Sequence, residues 1–477
     1  MTQRLVHRPT RITQPLTEPD PEKLASPPSL PDGQVGGQAL HTLIPVAGAL
    51  SSVVMIVVMR NANPLYLVAG AVLLVVALMA GVGFAVSSRG QAARNRRTQR
   101  ELYLDYLERF RSTMRDRVRE VRDQAGTLDP EPAALPELIR DPGRLWERRR
   151  TDADFLRVRI GLGDVGWFGL QVPPEENPVR PHDPIMAAEA QAVVDHYGTV
   201  LGVPVTAKLE GAGSVAVIGD RQDVLAVARS MIMQLAVLHS PEDLLLAAVF
   251  DDSRAADWRG FDLLPHAVDA KLYDAGVPAR RVAPTVADLG RVLGAELADR
   301  AQLAAMARRS VVTGDALPIS RLVVFCDDHG EHAAGLTIPD ADLHAADLQI
   351  TTVHLLSDRL HEPSDVQVRI TIDDHLATVT DSRLIGEDQL PTPTRTATVD
   401  QPSPQLFGSV ARSLAPLRLS LTEAEQAESG RSIEITELLG IPGVSAVGPQ
   451  LWKPRSSRDF LRVPIGLDDY GARSCWT

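Results

Sequence analysis

Two long apolar runs near the start of the chain restrict its fold more than any other feature. No charged residue occurs from Thr42 to Met59 or from Leu65 to Val86. At a rise of 1.5 Å per residue these runs give about 27 and 33 Å of helix, enough to cross a bilayer. A buried core hairpin is the alternative, and the polar, Pro-rich segment before the first run disfavours a signal peptide. The sequence therefore predicts a transmembrane hairpin at 41–88, with helices at about 42–59 and 65–86.

The basic residues that flank this hairpin predict its orientation. Arginines and a lysine precede the first run, five arginines follow the second between Arg89 and Arg100, and the connection between the runs carries only Arg60. Because basic residues concentrate on the cytoplasmic side, both termini are expected there. The predicted localisation is the inner (plasma) membrane, with residues 1–40 as a cytoplasmic polar tail.

A charged helical segment follows the second run. Between Arg97 and Asp123, apolar residues recur at steps of three and four among many charges, which indicates a helix with one narrow apolar stripe. We predict a stalk helix at 89–126. The stripe could pack on a partner helix or on the chain's own domain.

An internal repeat indicates the domain organisation. The segment Asp154–Leu162 reads DFLRVRIGL, and Asp459–Leu467 reads DFLRVPIGL. Because the first copy precedes an α/β domain, the second copy should begin another domain of the same kind. We predict one α/β domain at 145–445, then a linker and the truncated start of a second domain at 446–477.

Between the two copies, apolar strand candidates alternate with helical stretches. The strands are predicted at 214–219, 244–250, 322–326 and 350–356, and the helices at about 221–238 and 286–309. This alternation is typical of a mostly parallel sheet covered on both faces, with ligands at the carboxyl ends of the strands. The formal net charge of −12 argues against a surface built for nucleic acid.

Several short segments of this region carry a family resemblance. They are HSPEDL at 239–244 before a strand ending at Asp251, then Trp258, LPH at 264–266, and LVVFCDD at 322–328. In this order they resemble the FtsK/SpoIIIE-type ATPases, whose core domain is RecA-like. With the apolar hairpin, the stalk and the repeated strand, the chain is similar to the N-terminal part of EccC, the motor of mycobacterial-type type VII secretion.

The resemblance implies partners and cofactors that the residues alone do not. It implies an actinobacterial complex with EccB-, EccD- and EccE-like channel subunits, with other copies of the chain, and with exported small helical proteins of the WXG100 type, which bind through later domains. It also implies ATP and magnesium for the full-length family. For this chain itself no cofactor is expected, and nucleic acid is not an expected partner.

The phosphate-binding loop of such ATPases is absent from the sequence. That loop needs a Gly-Lys-Ser/Thr segment, and none of the four lysines is followed by Ser or Thr. The corresponding turn, after the strand at 214–218, contains Gly219, Asp220 and Arg221. The two aspartates Asp220 and Asp223 would repel a triphosphate, so we predict a domain without a Walker A motif that is inactive or very weak as an enzyme.

Asp327 and Asp328 stand where a Walker B motif would hold magnesium and orient water. Residual nucleotide binding by Gly219, Asp220, Arg221, Asp327 and Asp328 is one interpretation; a helix cap or solvated strand end is the other. The adjoining HGEH segment at 329–332 suggests a metal only weakly, and no metal is predicted. Arg254 and Arg259 are candidate fingers toward a neighbouring subunit.

Together these features predict the membrane-anchoring and coupling portion of a secretion motor, ending before its catalytic ATPase domains. A membrane-anchored DNA translocase and a non-catalytic structural scaffold are the alternatives. Salt-dependent DNA binding would favour the translocase.

Overall fold

The structure is a computed structural model, and it describes most of the chain. The described residues are 4–14, 22–29, 54, 64–175, 181–274, 277–309, 319–340, 342–384, 394–420, 463–467 and 473–476. The first predicted transmembrane helix, at 42–59, lies outside them except for Val54.

One long helix, α1 (Pro64–Leu128), contains both the second predicted span and the predicted stalk. The apolar run at 65–86 is therefore not a separate segment bounded by loops, but continues directly into the charged part of the helix. Among the helices of the described ranges, none is both long and apolar enough to span a membrane. The predicted transmembrane hairpin was wrong, and so was the inner-membrane localisation with two cytoplasmic termini that rested on it.

The apolar stripe of α1 packs on the chain's own domain. Tyr103, Leu107 and Met114 are buried. They share a core cluster with Met186 and Val193 of a second helix and with Val200 and Val203 of the strand that follows it. Arg100 also donates a hydrogen bond of 2.7 Å to the buried Asp183. The sequence left open whether the stripe packs on a partner helix or on the chain's own domain, and these contacts are with the chain's own domain.

The described strands, in chain order, are β1 (Arg4–Val6), β2 (Arg157–Gly166), β3 (Thr199–Lys208), β4 (Ser214–Ile218), β5 (Leu244–Val249), β6 (Val268–Asp274), β7 (Val277–Arg280), β8 (Val282–Ala283), β9 (Arg321–Cys326), β10 (Ile350–Leu356), β11 (Val368–Asp373), β12 (Leu376–Asp381), β13 (Arg395–Val399), β14 (Leu417–Leu419), β15 (Val463–Leu467) and β16 (Arg473–Trp476). The further helices are α2 (Leu135–Leu138), α3 (Pro184–Tyr197), α4 (Arg221–Leu238), α5 (Val286–Val292), α6 (Gly294–Arg309) and α7 (Pro404–Leu414).

Ten of these strands form one mixed sheet, in the order β3-β2-β13-β12-β11-β4-β10-β9-β5-β8. The strands from β11 to β8 run parallel, whereas β12, β13, β2 and β3 pair antiparallel. The parallel-sheet fold predicted from the sequence is therefore correct for only one part of the sheet. The direction changes at the β11–β12 pair, and β2, the strand of the repeated segment at 154–162, also has antiparallel neighbours on both sides.

Apolar layers cover both faces of the parallel part. Every residue of β10 is buried, as expected for a central parallel strand rich in β-branched residues. One face packs against α4 and α7 through side chains such as Met231, Leu235 and Phe407. The other packs against α5 and α6 through Leu289 and Leu297. The sheet is thereby fixed, and the carboxyl ends of β4, β9 and β10 lie side by side.

The N-terminal segment is attached to this domain. Strand β1 pairs with β14, and Arg8 forms a buried ion pair of 2.7 Å with Asp243. Arg11 binds Asp152 and the fully buried Asp154 at 2.8 and 2.7 Å. Residues 4–14 therefore belong to the folded domain.

Candidate functional site

The predicted site residues gather at the carboxyl edge of the parallel strands. Gly219 and Asp220 follow β4, Arg221 begins α4, and Asp327 and Asp328 follow β9. Strand β10 lies between β4 and β9. Of the five residues, Arg221 and Asp327 are in direct contact, and Asp220 is exposed.

Only two residues connect β4 to α4. Strand β4 ends at Ile218 and α4 begins at Arg221. A phosphate-binding loop needs a longer Gly-rich segment at this point, because its amides must wrap around the phosphates. Gly219 has a different role: a Cβ atom there would lie 2.7 Å from the carbonyl oxygen of Ile372 on β11. The glycine lets the turn approach the neighbouring strand.

Asp327 is the centre of a hydrogen-bonded ion network. Its Oδ1 accepts from Arg221 Nη1 and Arg254 Nη1, both at 3.0 Å. Its Oδ2 accepts from Arg221 Nη2 at 3.1 Å and from Trp258 Nε1 at 2.9 Å. Arg221 Nη2 also donates to Asp257 at 2.6 Å. The side chain of Asp327 is fully buried, and each of its oxygens has two donors from the chain itself.

This network sets the charge states of its members. Burial would raise the pKa of Asp327, but the hydrogen bonds from Arg221 and Trp258 bring that pKa below its ordinary value. Conversely, the hydrogen bond to Asp327 raises the pKa of Arg221. The two side chains therefore form a charged pair, with Arg254 as a second cation on the same carboxylate.

Carboxylates occupy the beginning of α4. Its first turn contains the buried Asp223, and Asp220 precedes the helix without capping it. Asp223 Oδ1 accepts from Gln401 Nε2 at 3.0 Å and lies 2.7 Å from His375 Nδ1. The positive end of the helix, which holds phosphate in nucleotide-binding folds, is thus already compensated by the chain's own negative charge.

The polar loop after β9 is also tied down. Asp328 Oδ2 lies 2.8 Å from His354 Nδ1 on β10, and His329 Nε2 lies 3.1 Å from the carbonyl oxygen of Gly219. His332 packs edge-on against His361, with ring centroids 4.8 Å apart. The two histidines of the HGEH segment therefore have separate contacts. Arg254, a candidate finger, binds Asp327 of its own chain.

These residues do not fit a magnesium-bound nucleotide. Magnesium needs carboxylate oxygens that are free to coordinate it, but both oxygens of Asp327 accept hydrogen bonds from the chain. The turn after β4 is short, and Asp220 and Asp223 lie on either side of Arg221, the basic residue that follows the turn. Asp257 and Trp258 are members of this network that the sequence did not predict, because no local pattern links them to Asp327.

Curated relatives match the chain over nearly its whole length. The ESX secretion system protein EccC of Thermomonospora curvata is 29% identical over 472 residues, which cover 98% of this chain and 34% of that protein. The chain is homologous to the EccC proteins. ESX-4 secretion system protein EccC4 of Mycobacterium tuberculosis is 29% identical over 467 residues, covering 96% of this chain and 32% of the relative. The resemblance to EccC predicted from the sequence is confirmed, and this EccC homologue spans about a third of the length of those relatives.

Structural likeness is weaker. The cytoplasmic domain of the type VII secretion ATPase EccC of Thermomonospora curvata has a TM-score of 0.34 at 15% identity, over 59% of this chain and 34% of that one. EccC ATPases 2 and 3 of the same organism, in complex with a signal sequence peptide, have a TM-score of 0.31 at 15% identity, over 67% of this chain and 55% of that one. No protein-family model matches the sequence.

Proposed function

We propose that this chain contributes a non-hydrolysing α/β domain to a type VII secretion motor. The homology to EccC proteins over 98% of the chain supports a role in that machinery. The observation that carries the non-hydrolysing role is the pairing of Asp327: Arg221, Arg254 and Trp258 occupy both of its oxygens. In this proposal hydrolysis belongs to other ATPase domains of the motor, and residues 145–445 transmit their movements.

Rigidity at the carboxyl edge supports transmission of movement. In nucleotide-driven motors this edge changes shape as phosphates bind and leave. Here Arg221 connects the start of α4 to the end of β9, and His329 connects the same loop to Gly219. These contacts connect α4 and the turn before it to the loop after β9 through groups of the chain itself.

The proposed partners follow from the family. We infer that the chain assembles with EccB-, EccD- and EccE-like channel subunits and with other copies of itself, and that the exported cargo consists of small helical WXG100-type proteins. The support is the homology to proteins named as ESX secretion system components.

A pull-down with the purified full chain tests this function. The immobilised chain is incubated with a detergent extract of the organism that encodes it, and the captured channel subunits are quantified by mass spectrometry. We expect equal capture with Mg-ATP, with Mg-ADP and after enzymatic removal of nucleotides. Capture that depends on nucleotide, or no capture of channel subunits in any condition, would contradict the proposal.

A further inference from the structure

Three side chains of the types that bind transition metals lie together near the carboxyl ends of β9 and β10. They are Cys326, Asp328 and His354. Cys326 and His354 are direct partners in the parallel register of the two strands. Asp328 follows Cys326 by two residues, which returns it to the same side of the sheet. The topology therefore juxtaposes a thiol, a carboxylate and an imidazole from two adjacent strands.

The geometry of this group is compact. The Nδ1 atom of His354 lies 2.8 Å from Oδ2 of Asp328, and one potential ligand atom from each residue lies within 4.8 Å of the others. Cys326 is fully buried, and the side chains of His354 and Asp328 are 2% and 12% exposed. Cys326 forms no disulfide. Asp328 is thus the most accessible member of a largely buried group.

We propose that Cys326, Asp328 and His354 bind a zinc ion. Zinc takes Cys sulfur at about 2.3 Å and His nitrogen or carboxylate oxygen at about 2.0–2.2 Å, in a tetrahedral arrangement. Such bonds place neighbouring ligand atoms roughly 3.3–3.6 Å apart. The present spacing, 2.8 Å between His354 and Asp328 and at most 4.8 Å within the group, is close to these separations. In the proposed site a water molecule would take the fourth position.

The ligand types select zinc over magnesium. Magnesium prefers an octahedral set of oxygen ligands, whereas thiolate and imidazole together favour zinc. Asp327 takes no part, since its oxygens belong to the network with Arg221, Arg254 and Trp258. When zinc binds, the thiol of Cys326 loses its proton to solvent, and the metal replaces the hydrogen bond between His354 and Asp328. The proposal is independent of whether the domain binds nucleotide.

Cobalt substitution gives a direct test with the untagged full chain. Cobalt(II) is titrated into the reduced, metal-free protein, and the thiolate-to-cobalt charge-transfer absorption is recorded in the near ultraviolet. We expect a saturating band at about one equivalent, displaced by added zinc, as a tetrahedral site with a thiolate ligand requires. The melting temperature should rise with zinc and not with magnesium.

Matched variants locate the site. Cys326→Ser and His354→Asn should each abolish the band, and Asp328→Asn should weaken cobalt binding at least tenfold, while Cys475→Ser should leave the band intact. Absence of the band in the wild-type chain would overturn the proposal without reference to any variant. So would a band that persists in Cys326→Ser and disappears in Cys475→Ser.

Discussion

The network around Asp327 predicts that this aspartate stabilises the fold. Asp327→Asn keeps the shape of the side chain but removes its charge and turns an amide toward donors of Arg221, Arg254 and Trp258. Hydrogen bonds to a charged group contribute about 1.5–3 kcal/mol each, and loss of a buried partner costs about 3–5 kcal/mol in total. The side chains of Arg221 and Arg254 are 31% and 18% exposed and can be partly rehydrated. We therefore expect a loss of about 2–4 kcal/mol.

Urea unfolding of the full chain, followed by circular dichroism, measures this loss. Asp328→Asn is the matched control, because it is the same substitution one residue later. The side chain of Asp328 contacts His354 rather than a set of buried cations, so its replacement should cost about 1 kcal/mol. If Asp327 served a working magnesium site, Asp327→Asn would be less destabilising than Asp328→Asn, because removing a carboxylate that lacks its metal relieves repulsion. If Asp327→Asn equals or exceeds the wild type in stability, the reasoning is refuted.

Three further substitutions test other parts of the structure. Burial would raise the pKa of Asp154, but the hydrogen bond from Arg11 and nearby cations lower it to about 2. Because the folded pKa of Asp154 is depressed, its ionised form contributes about 2 kcal/mol of stability, which is present above pH ~4 and is lost as the pH falls toward ~2. Asp154→Asn should lack this pH-dependent loss of stability in an acid titration. An acid profile equal to that of the wild type would contradict the ion pairing of Asp154. Gly219→Ala should cost about 1–3 kcal/mol by clashing with the β11 backbone. The control is Gly290→Ala, inside α5 with nothing within 4 Å of the new methyl group, which should be neutral or stabilising by up to about 1 kcal/mol. Equal thermal stabilities of the two variants would refute the close approach of Gly219 to β11. Arg8→Met should loosen residues 4–14, which Arg11 and the pairing of β1 with β14 also hold, so hydrogen exchange there should become faster while α4 stays protected. Unchanged exchange would exclude a contribution of the Arg8–Asp243 ion pair to this attachment.

The sequence predicted four of the six parallel strands of the large sheet and missed β8 and β11. The runs that became β4, β5, β9 and β10 are short, apolar and buried on both faces, so composition alone identifies them. Strands β12 and β13 alternate between buried and less buried residues and were not predicted. The apolar run at 65–86 was misassigned, because hydropathy measures the composition of a segment and not the helix to which it belongs.

The five candidate residues can be named from the sequence, but the contacts they form cannot. The absence of a Gly-Lys-Ser/Thr segment and the two aspartates beside Arg221 are visible in the sequence. The pairing of Arg221 with Asp327 is not, because it joins residues 106 positions apart. The same holds for His354, which meets Cys326 only through the strand register. Contacts of this kind depend on topology, which local patterns do not encode.

Calorimetric titration of the purified full chain with Mg-ATP tests the central claim most directly. A site whose carboxylate is already paired and whose phosphate loop is too short should give no saturable heat up to millimolar nucleotide, and Asp328→Ala should give the same flat trace. Saturable binding at micromolar affinity that is lost in Asp328→Ala would contradict the account, and it would identify this edge of the sheet as a functional nucleotide site.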